Sequence, residues 1–167
     1  MVDTDTFETL DVIQTQNYVF TLAIVDTETI VCGEYQGFVD IVRYSRSQLM
    51  RLQSIRPFQA NVYKIIPTDR KEAFAFGCGN GLFFGTFDPR TYELDLSNEQ
   101  IMPGKYITQI CLIGEGKFLV SIWNQSGTFI VNRSGWFGGK PAKPVWIEEP
   151  RFSSHITDLK PLFPDQL

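Results

Sequence analysis

Apolar positions along this chain fall in short runs separated by polar or glycine-bearing turns, with no sustained helical period. The clearest instance is the stretch EAFAFGCGNGLFFGTFD from Glu72 to Asp88, where two apolar runs flank Asn80-Gly81 and predict a β-hairpin with a tight turn. TIVCGEYQGFVDIVR and FLVSIWNQSGTFIVN repeat the pattern, with Gln36-Gly37 and Ser126-Gly127 at the turn. The turn glycines stand 44 and 46 residues apart, a spacing that points to a repeat architecture.

The same pattern predicts the remaining strands. Residues 1–6 are expected to be disordered, and a first strand is expected over 7–14, with Phe7, Leu10, Val12 and Ile13 in a weakly alternating order. Strands follow at 18–25, 30–34, 38–44 and 49–55, the last ending at Arg56-Pro57, where proline cannot continue a central ladder. The order begins again with 62–66, 74–78, 82–87 and 92–96, and a third time with 107–113, 118–123, 128–132 and 145–147. One more strand, without a hairpin, is expected in the tail at 152–162. Residues 47–55 are the nearest approach to a helix, but so short a piece between strands fits the sheet better.

A second landmark supports the period. A ring-bearing residue is followed four positions later by an aliphatic one at Tyr18 and Leu22, Phe58 and Val62, Tyr106 and Ile110, and His155 and Leu159. The rings are 40, 48 and 49 residues apart, so the units run over about 18–57, 58–104 and 105–151, with a partial fourth at 152–167. Four short antiparallel strands repeating at this interval are what a propeller blade needs, the first near the axis and the last at the rim. The expected fold is therefore all-β, a propeller segment of about three four-stranded blades with a single extra strand at each end. A β-sandwich is the alternative, since it too is built of closely spaced hairpins.

At this point the chain resembles the WD40-type repeat family. Ser153-Ser154-His155-Ile156-Thr157-Asp158-Leu159 is similar to that family's Gly-His-x-x-x-Val blade opening, Phe87-Asp88 to its Trp-Asp ending and Asn80-Gly81 to its Asp-Gly turn. The resemblance covers roughly 18–162. In the family a blade-opening His, a turn Asp, a strand Ser or Thr and a Trp form a hydrogen-bonded set. No unit here holds all four, because the turns carry Gln36, Asn80 and Ser126 and the first three openings are Tyr or Phe. The resemblance implies a scaffold for protein–protein interaction. Because such rings usually hold four to eight blades, the segment is expected to belong to a larger propeller or to close by self-association or pairing with further blades.

Composition narrows the picture. The 167 residues suffice for one domain with a sizeable core. A net charge of -4 without long single-sign runs argues against nucleic acid as the main partner. Fourteen Phe, six Tyr and three Trp favour strands. Cys32, Cys78 and Cys111 lack metal-ligand spacing and are expected to be reduced core thiols, which implies an intracellular compartment, cytoplasmic or nuclear. The sequence supports neither a membrane span nor a secretory signal.

No catalytic constellation emerges, and the chain is expected not to be an enzyme. His155 is the only histidine, at a position where a structural hydrogen bond is the simpler role. The glycines from Gly77 to Gly81 lack the helix and the Lys-Ser/Thr of a phosphate loop, and Glu148 and Glu149 would face opposite ways in a strand. Neither metal nor cofactor is implied. Binding residues are expected at the turns: Tyr35, Gln36, Asn80, Trp123 and Asn124, all on one face of the ring, and Trp136 and Phe137 in the Gly/Pro-rich loop as an aromatic protein-contact anchor. Arg43, Arg46, Arg51 and Arg56 are expected to form a solvated outer edge. An enzyme or ligand-binding propeller, its site completed by residues outside this chain, is the alternative function.

Overall fold

The computed structural model describes residues 1–3, 5–6, 8–46, 48–70, 72–123, 128–132 and 145–147. Its regular structure is a succession of short antiparallel strands in three four-stranded sheets. Sheet 1 holds β1 (Val19–Ile24), β2 (Thr29–Glu34), β3 (Val39–Tyr44) and β4 (Leu49–Ile55). Sheet 2 holds β5 (Val62–Pro67), β6 (Ala73–Cys78), β7 (Gly81–Asp88) and β8 (Glu93–Leu96). Sheet 3 holds β9 (Ile107–Gly114), β10 (Lys117–Ile122), β11 (Thr128–Asn132) and β12 (Val145–Ile147). Within each sheet the strands lie in chain order, each paired antiparallel with the next.

The hairpin turns show why the glycines recur. Gly37 sits at φ 85° after Gln36 at φ 60°, a left-handed pair that only glycine and a few polar residues enter at small cost. A Cβ at Gly37 would run into the Phe58 carbonyl, so the turn also needs the missing side chain.

Packing decides between the two expected architectures. A sandwich has two sheets and one core between them. Here the middle sheet is buried on both faces: Phe74, Phe76 and Cys78 pack with Val31, Val39 and Ile41 of sheet 1, whereas Ala75, Leu82 and Phe84 pack with Ile107, Ile110, Phe118 and Val120 of sheet 3. First strand lies by first strand, β1 against β5 and β5 against β9. That succession is blade against blade around an axis.

Glycine governs how closely the blades approach. A Cβ on Gly33 would stand 2.6 Å from Val62 Cγ1, and one on Gly77 would stand 3.0 Å from Ile107 Cγ2. Gly33 and Gly77 hold the same ladder position in β2 and β6, and Val62 and Ile107 open the next inner strand in each case. One rule of contact therefore serves both interfaces.

Three sequence expectations are corrected. Residues 8–14 form no strand; Thr9 makes only an isolated bridge to Val2. The chain there doubles back, with the Leu10 amide donating to the Met1 carbonyl (3.0 Å) and the Met1 ammonium to the Asp11 carbonyl (2.7 Å). Nor are residues 1–3 and 5–6 without structure, since Asp3 Oδ1 accepts from the Asp5 and Thr6 amides. From Asp11 to Asn17 burial alternates, with Asp11, Ile13, Thr15 and Asn17 turned inward; of the apolar residues of the expected strand Ile13 is inward, whereas Leu10 and Val12 are exposed, Val12 at 75%.

The second correction concerns the ring landmark. Phe58 is buried, with its ring 5.3 Å from that of Phe76 and 5.1 Å from that of Phe83, whereas Tyr18 and Tyr106 are exposed. The structural counterpart of Tyr18 and Tyr106 is Asn61: the Tyr35, Gly79 and Trp123 amides donate to the carbonyls of Tyr18, Asn61 and Tyr106 at 2.9, 2.9 and 2.8 Å. These positions are 43 and 45 residues apart, closer to the glycine period than the rings were.

The third concerns the arginines. Arg51 Nε pairs with Asp40 Oδ2 at 2.8 Å, Arg43 lies 5.2 Å over the Tyr92 ring, and Arg56 both donates to the Gln36 carbonyl and lies 5.5 Å over Phe38. Arg51 and Arg43 are therefore half-buried structural side chains, whereas Arg56, though engaged, and Arg46 are exposed as expected of a solvated edge. The three cysteines are free and buried, as expected. The tail strand expected at 152–162 lies outside the described residues.

Candidate functional site

The hydrogen bonds from Tyr35, Gly79 and Trp123 stand at the same position in each of the three blades, at the end where the second strand finishes. That end carries an aromatic surface built by a repeated backbone device. In β1 the ladder pairs Val19 with Glu34 and Thr21 with Gly33, which leaves Phe20 as the extra residue of a β-bulge. In β5 the extra residue is Tyr63, between Val62 and Lys64, and in β9 it is Thr108, between Ile107 and Gln109. A bulge re-aims the side chain it carries. All three turn to the same side: the Phe20 and Tyr63 rings are 5.3 Å apart, and Tyr63 and Thr108 line one cleft.

The cleft has a volume of about 620 Å³ and is lined by Tyr63, Tyr106, Thr108 and Trp123. Its size is that of ordinary ligand sites. Tyr63 is held from outside the cleft, because Asn61 Nδ2 donates to its hydroxyl (3.0 Å) while Asn61 Oδ1 accepts the Gln36 amide (2.9 Å). Gly79 occupies the place that Tyr35 and Trp123 fill in the other blades. Without a side chain there, the Tyr106 ring lies against it, 3.5 Å from where a Cβ would be. Tyr106 and Trp123 are each about half exposed, at 53% and 50%.

Of the residues expected to bind, Tyr35 and Trp123 stand at this end, with the Tyr35 ring 6.4 Å from Phe20. Gln36 is there too, but its backbone groups are engaged by Asn61 and Arg56. Asn80 turns away to the β7-facing connection: its carbonyl accepts from the Gly104 amide and from Gln100 Nε2, and its Oδ1 is buried. Asn124, Trp136, Phe137 and His155 lie outside the described residues. Sequence reasoning missed Phe20, Tyr63, Tyr106 and Thr108. A signal was present, since Val19-Phe20, Val62-Tyr63 and Ile107-Thr108 recur at the period of the Tyr18, Asn61 and Tyr106 carbonyls.

A second polar feature lies on the face of sheet 1 turned away from sheet 2. Glu34 and Asp40 are fully buried there. Burial first, and then a hydrogen bond from the Glu34 carboxyl to Asp40 and the charge of Asp40, push Glu34 up to about 7. Cys32, between them on the same face, is pushed up to about 11 by burial and by the two carboxylates. In the middle sheet burial alone raises the Cys78 thiol. Among the described residues no group of three or more His, Cys, Asp or Glu side chains is placed to hold a metal. No helix among them is long and apolar enough to cross a membrane.

No protein-family profile matches the chain, and no curated protein does. Solved structures do. The β-propeller domain of Cps50 (Swd1) from Myceliophteria thermophila is similar with a TM-score of 0.62 at 11% identity, over 80% of this chain and 42% of that one. Sqt1 from Saccharomyces cerevisiae gives 0.62 at 9% identity, over 83% of this chain and 38% of that one. The periplasmic gluconolactonase PpgL from Pseudomonas aeruginosa gives 0.55 at 16% identity, over 78% and 40%. The chain thus spans about two fifths of the length of these structures. Three blades in succession, aligned on part of a propeller, define its class: it is a β-propeller segment.

Proposed function

We propose that this segment is part of a WD40-like protein-interaction scaffold within a larger or multi-chain propeller, and that the aromatic cleft is where it holds a protein ligand. The observation that carries the reading is the threefold bulge, which places Phe20, Tyr63 and Thr108 on one side beside Tyr106 and Trp123. Large rings with few rotatable bonds, half exposed and braced from behind, are the side chains that dominate protein-binding hot spots. The WD40 resemblance adds support: Asn80-Gly81 forms the turn into β7, and Phe87-Asp88 closes that strand as the family's Trp-Asp pair does. Free buried thiols suit a reducing, intracellular setting.

The test compares proteins retained by the immobilised wild type with those retained by Trp123→Ala and Tyr63→Ala. Loss of the same partners from both variants, at unchanged melting temperature, is expected. Retention of every partner by both would overturn the reading.

One observation favours a second reading. The likeness to a gluconolactonase suggests an enzyme or ligand-binding propeller whose site is completed by residues outside this chain. Lactone hydrolysis that falls with Tyr63→Phe would replace the scaffold reading with this one.

A further inference from the structure

The face of sheet 1 that looks away from sheet 2 differs in kind from its counterparts. By ladder position Glu34 corresponds to Cys78 and Ile122, and Asp40 to Phe83 and Phe129. In sheets 2 and 3 these positions supply apolar surface to the neighbouring blade. In sheet 1 they carry two carboxylates with no exposure, and what covers them is residues 11–17.

That segment crosses the sheet from β4 to β2, tied at three points. Asp11 Oδ2 accepts the Leu49 amide at 2.6 Å, the Gln14 carbonyl accepts from Arg51 Nη2, and Glu34 Oε2 accepts the Asn17 amide at 3.0 Å. Three of its four inward residues, Asp11, Thr15 and Asn17, are polar, over a face that is itself polar, and the fourth is Ile13. Two of the three ties go through the Glu34–Asp40–Arg51 cluster itself.

We propose that residues 11–17 act as a proton-controlled cover over the open face of this first blade, shut while the Glu34–Asp40 pair holds a proton and loosened when it holds none. The charge balance gives the reason. Arg51 pairs with Asp40 and neutralises one carboxylate. A proton on Glu34 lets its carboxyl donate to Asp40; without that proton two buried negative charges face one guanidinium, and water must enter to solvate them. The groups that face Glu34 are Cys32 from β2, whose thiol stays protonated, Asp40 from β3 and Arg51 from β4. From the cover, Asn17 and Gln14 contribute uncharged backbone groups. Asp11 contributes a carboxylate that the Leu49 and Val12 amides hold below the usual range, so it stays ionised throughout.

The sign follows from linkage. With the cover shut Glu34 titrates at about 7; opening lets water reach it and relieves part of the burial that raises it, which outweighs the loss of the Asn17 amide that favours the ionised form, while Asp40 and Arg51 stay beside it on the sheet. Closure therefore binds a proton: it is strongest well below pH 7, weakens as pH rises to about 7 and is constant above that. Opening adds the outer half of this face to an inner half already bare, where Leu22 and Ile24 are exposed. The inference stands apart from the aromatic cleft, which lies at the end of the strands.

Hydrogen exchange on the intact chain tests it, read as protection factors for the Asn17 and Leu49 amides between pH 4.5 and 8. Protection is expected to fall by about tenfold across that range in the wild type, most of it below about pH 7. In Glu34→Gln it is expected to be flat. Asp40→Asn, which leaves Glu34 as the sole partner of Arg51, is the second variant, and it is also expected to flatten the profile. Protection that does not change with pH in the wild type, or a pH dependence that survives in whichever variant folds, would overturn the proposal.

Discussion

Gly37 is the residue at which backbone geometry and packing make the same demand. Its φ of 85° lies in the left-handed region, and the Phe58 carbonyl occupies the place of any Cβ. Phe58 in turn donates its amide to the Gly37 carbonyl, so the turn of sheet 1 is locked to the chain entering sheet 2. Gly37→Ala is expected to lower unfolding free energy by about 2 kcal/mol or more, combining left-handed strain with backbone displacement. Urea titration followed by tryptophan fluorescence measures it. Gln36 shares the left-handed region at φ 60° without such contact, and Gln36→Gly is expected to be neutral or slightly stabilising by the same titration.

Between elements, one contact rule recurs: the second strand of a blade offers a glycine to the first residue of the next inner strand. Gly33 meets Val62 as Gly77 meets Ile107. Gly33→Ala is expected to cost about 1–3 kcal/mol through overpacking. Combined with Val62→Ala it should cost less than the two single changes summed, by about 1 kcal/mol, because the second change makes room for the first. A double-mutant cycle on denaturation midpoints decides this; strict additivity would mean that the blades do not meet as described. The hairpins themselves were legible in the sequence because Asn-Gly and Gln-Gly turns between apolar runs have few other solutions. The bulges were not, since an extra residue in one strand leaves the apolar pattern intact and shows only in the ladder. Phe58 misled for a related reason: an aromatic ring serves equally well at an exposed rim and in a core. The strand expected at 7–14 does not form over the described residues 8–14 because the segment is tied to sheet 1 by Asp11, Gln14 and Asn17, through Leu49, Arg51 and Glu34, and not by a ladder.

For the molecule as a whole, the repeat sets up a comparison that no single blade offers. Leu22, Ile65 and Ile110 hold the same ladder position in β1, β5 and β9, opposite Cys32, Phe76 and Val120. Ile65 and Ile110 are 2% and 1% exposed, each at an interface with another blade, whereas Leu22 is 60% exposed. The same position therefore contributes very different free energies according to what stands beside it. Ile65→Ala and Ile110→Ala are each expected to cost about 2–5 kcal/mol, as the loss of buried methyl groups plus the cavity left behind. Leu22→Ala should change stability by no more than about 0.5 kcal/mol in the chain alone. Thermal unfolding of the three variants, run side by side, tests the ordering. A further blade packed on the first sheet would bury Leu22 as Ile65 is buried, and its presence should raise the cost of Leu22→Ala toward that of Ile65→Ala. Equal costs at all three positions in the chain alone would mean that the Leu22 face is already occupied, for instance by a second copy, and sedimentation of the wild type would then show association that Leu22→Ala weakens.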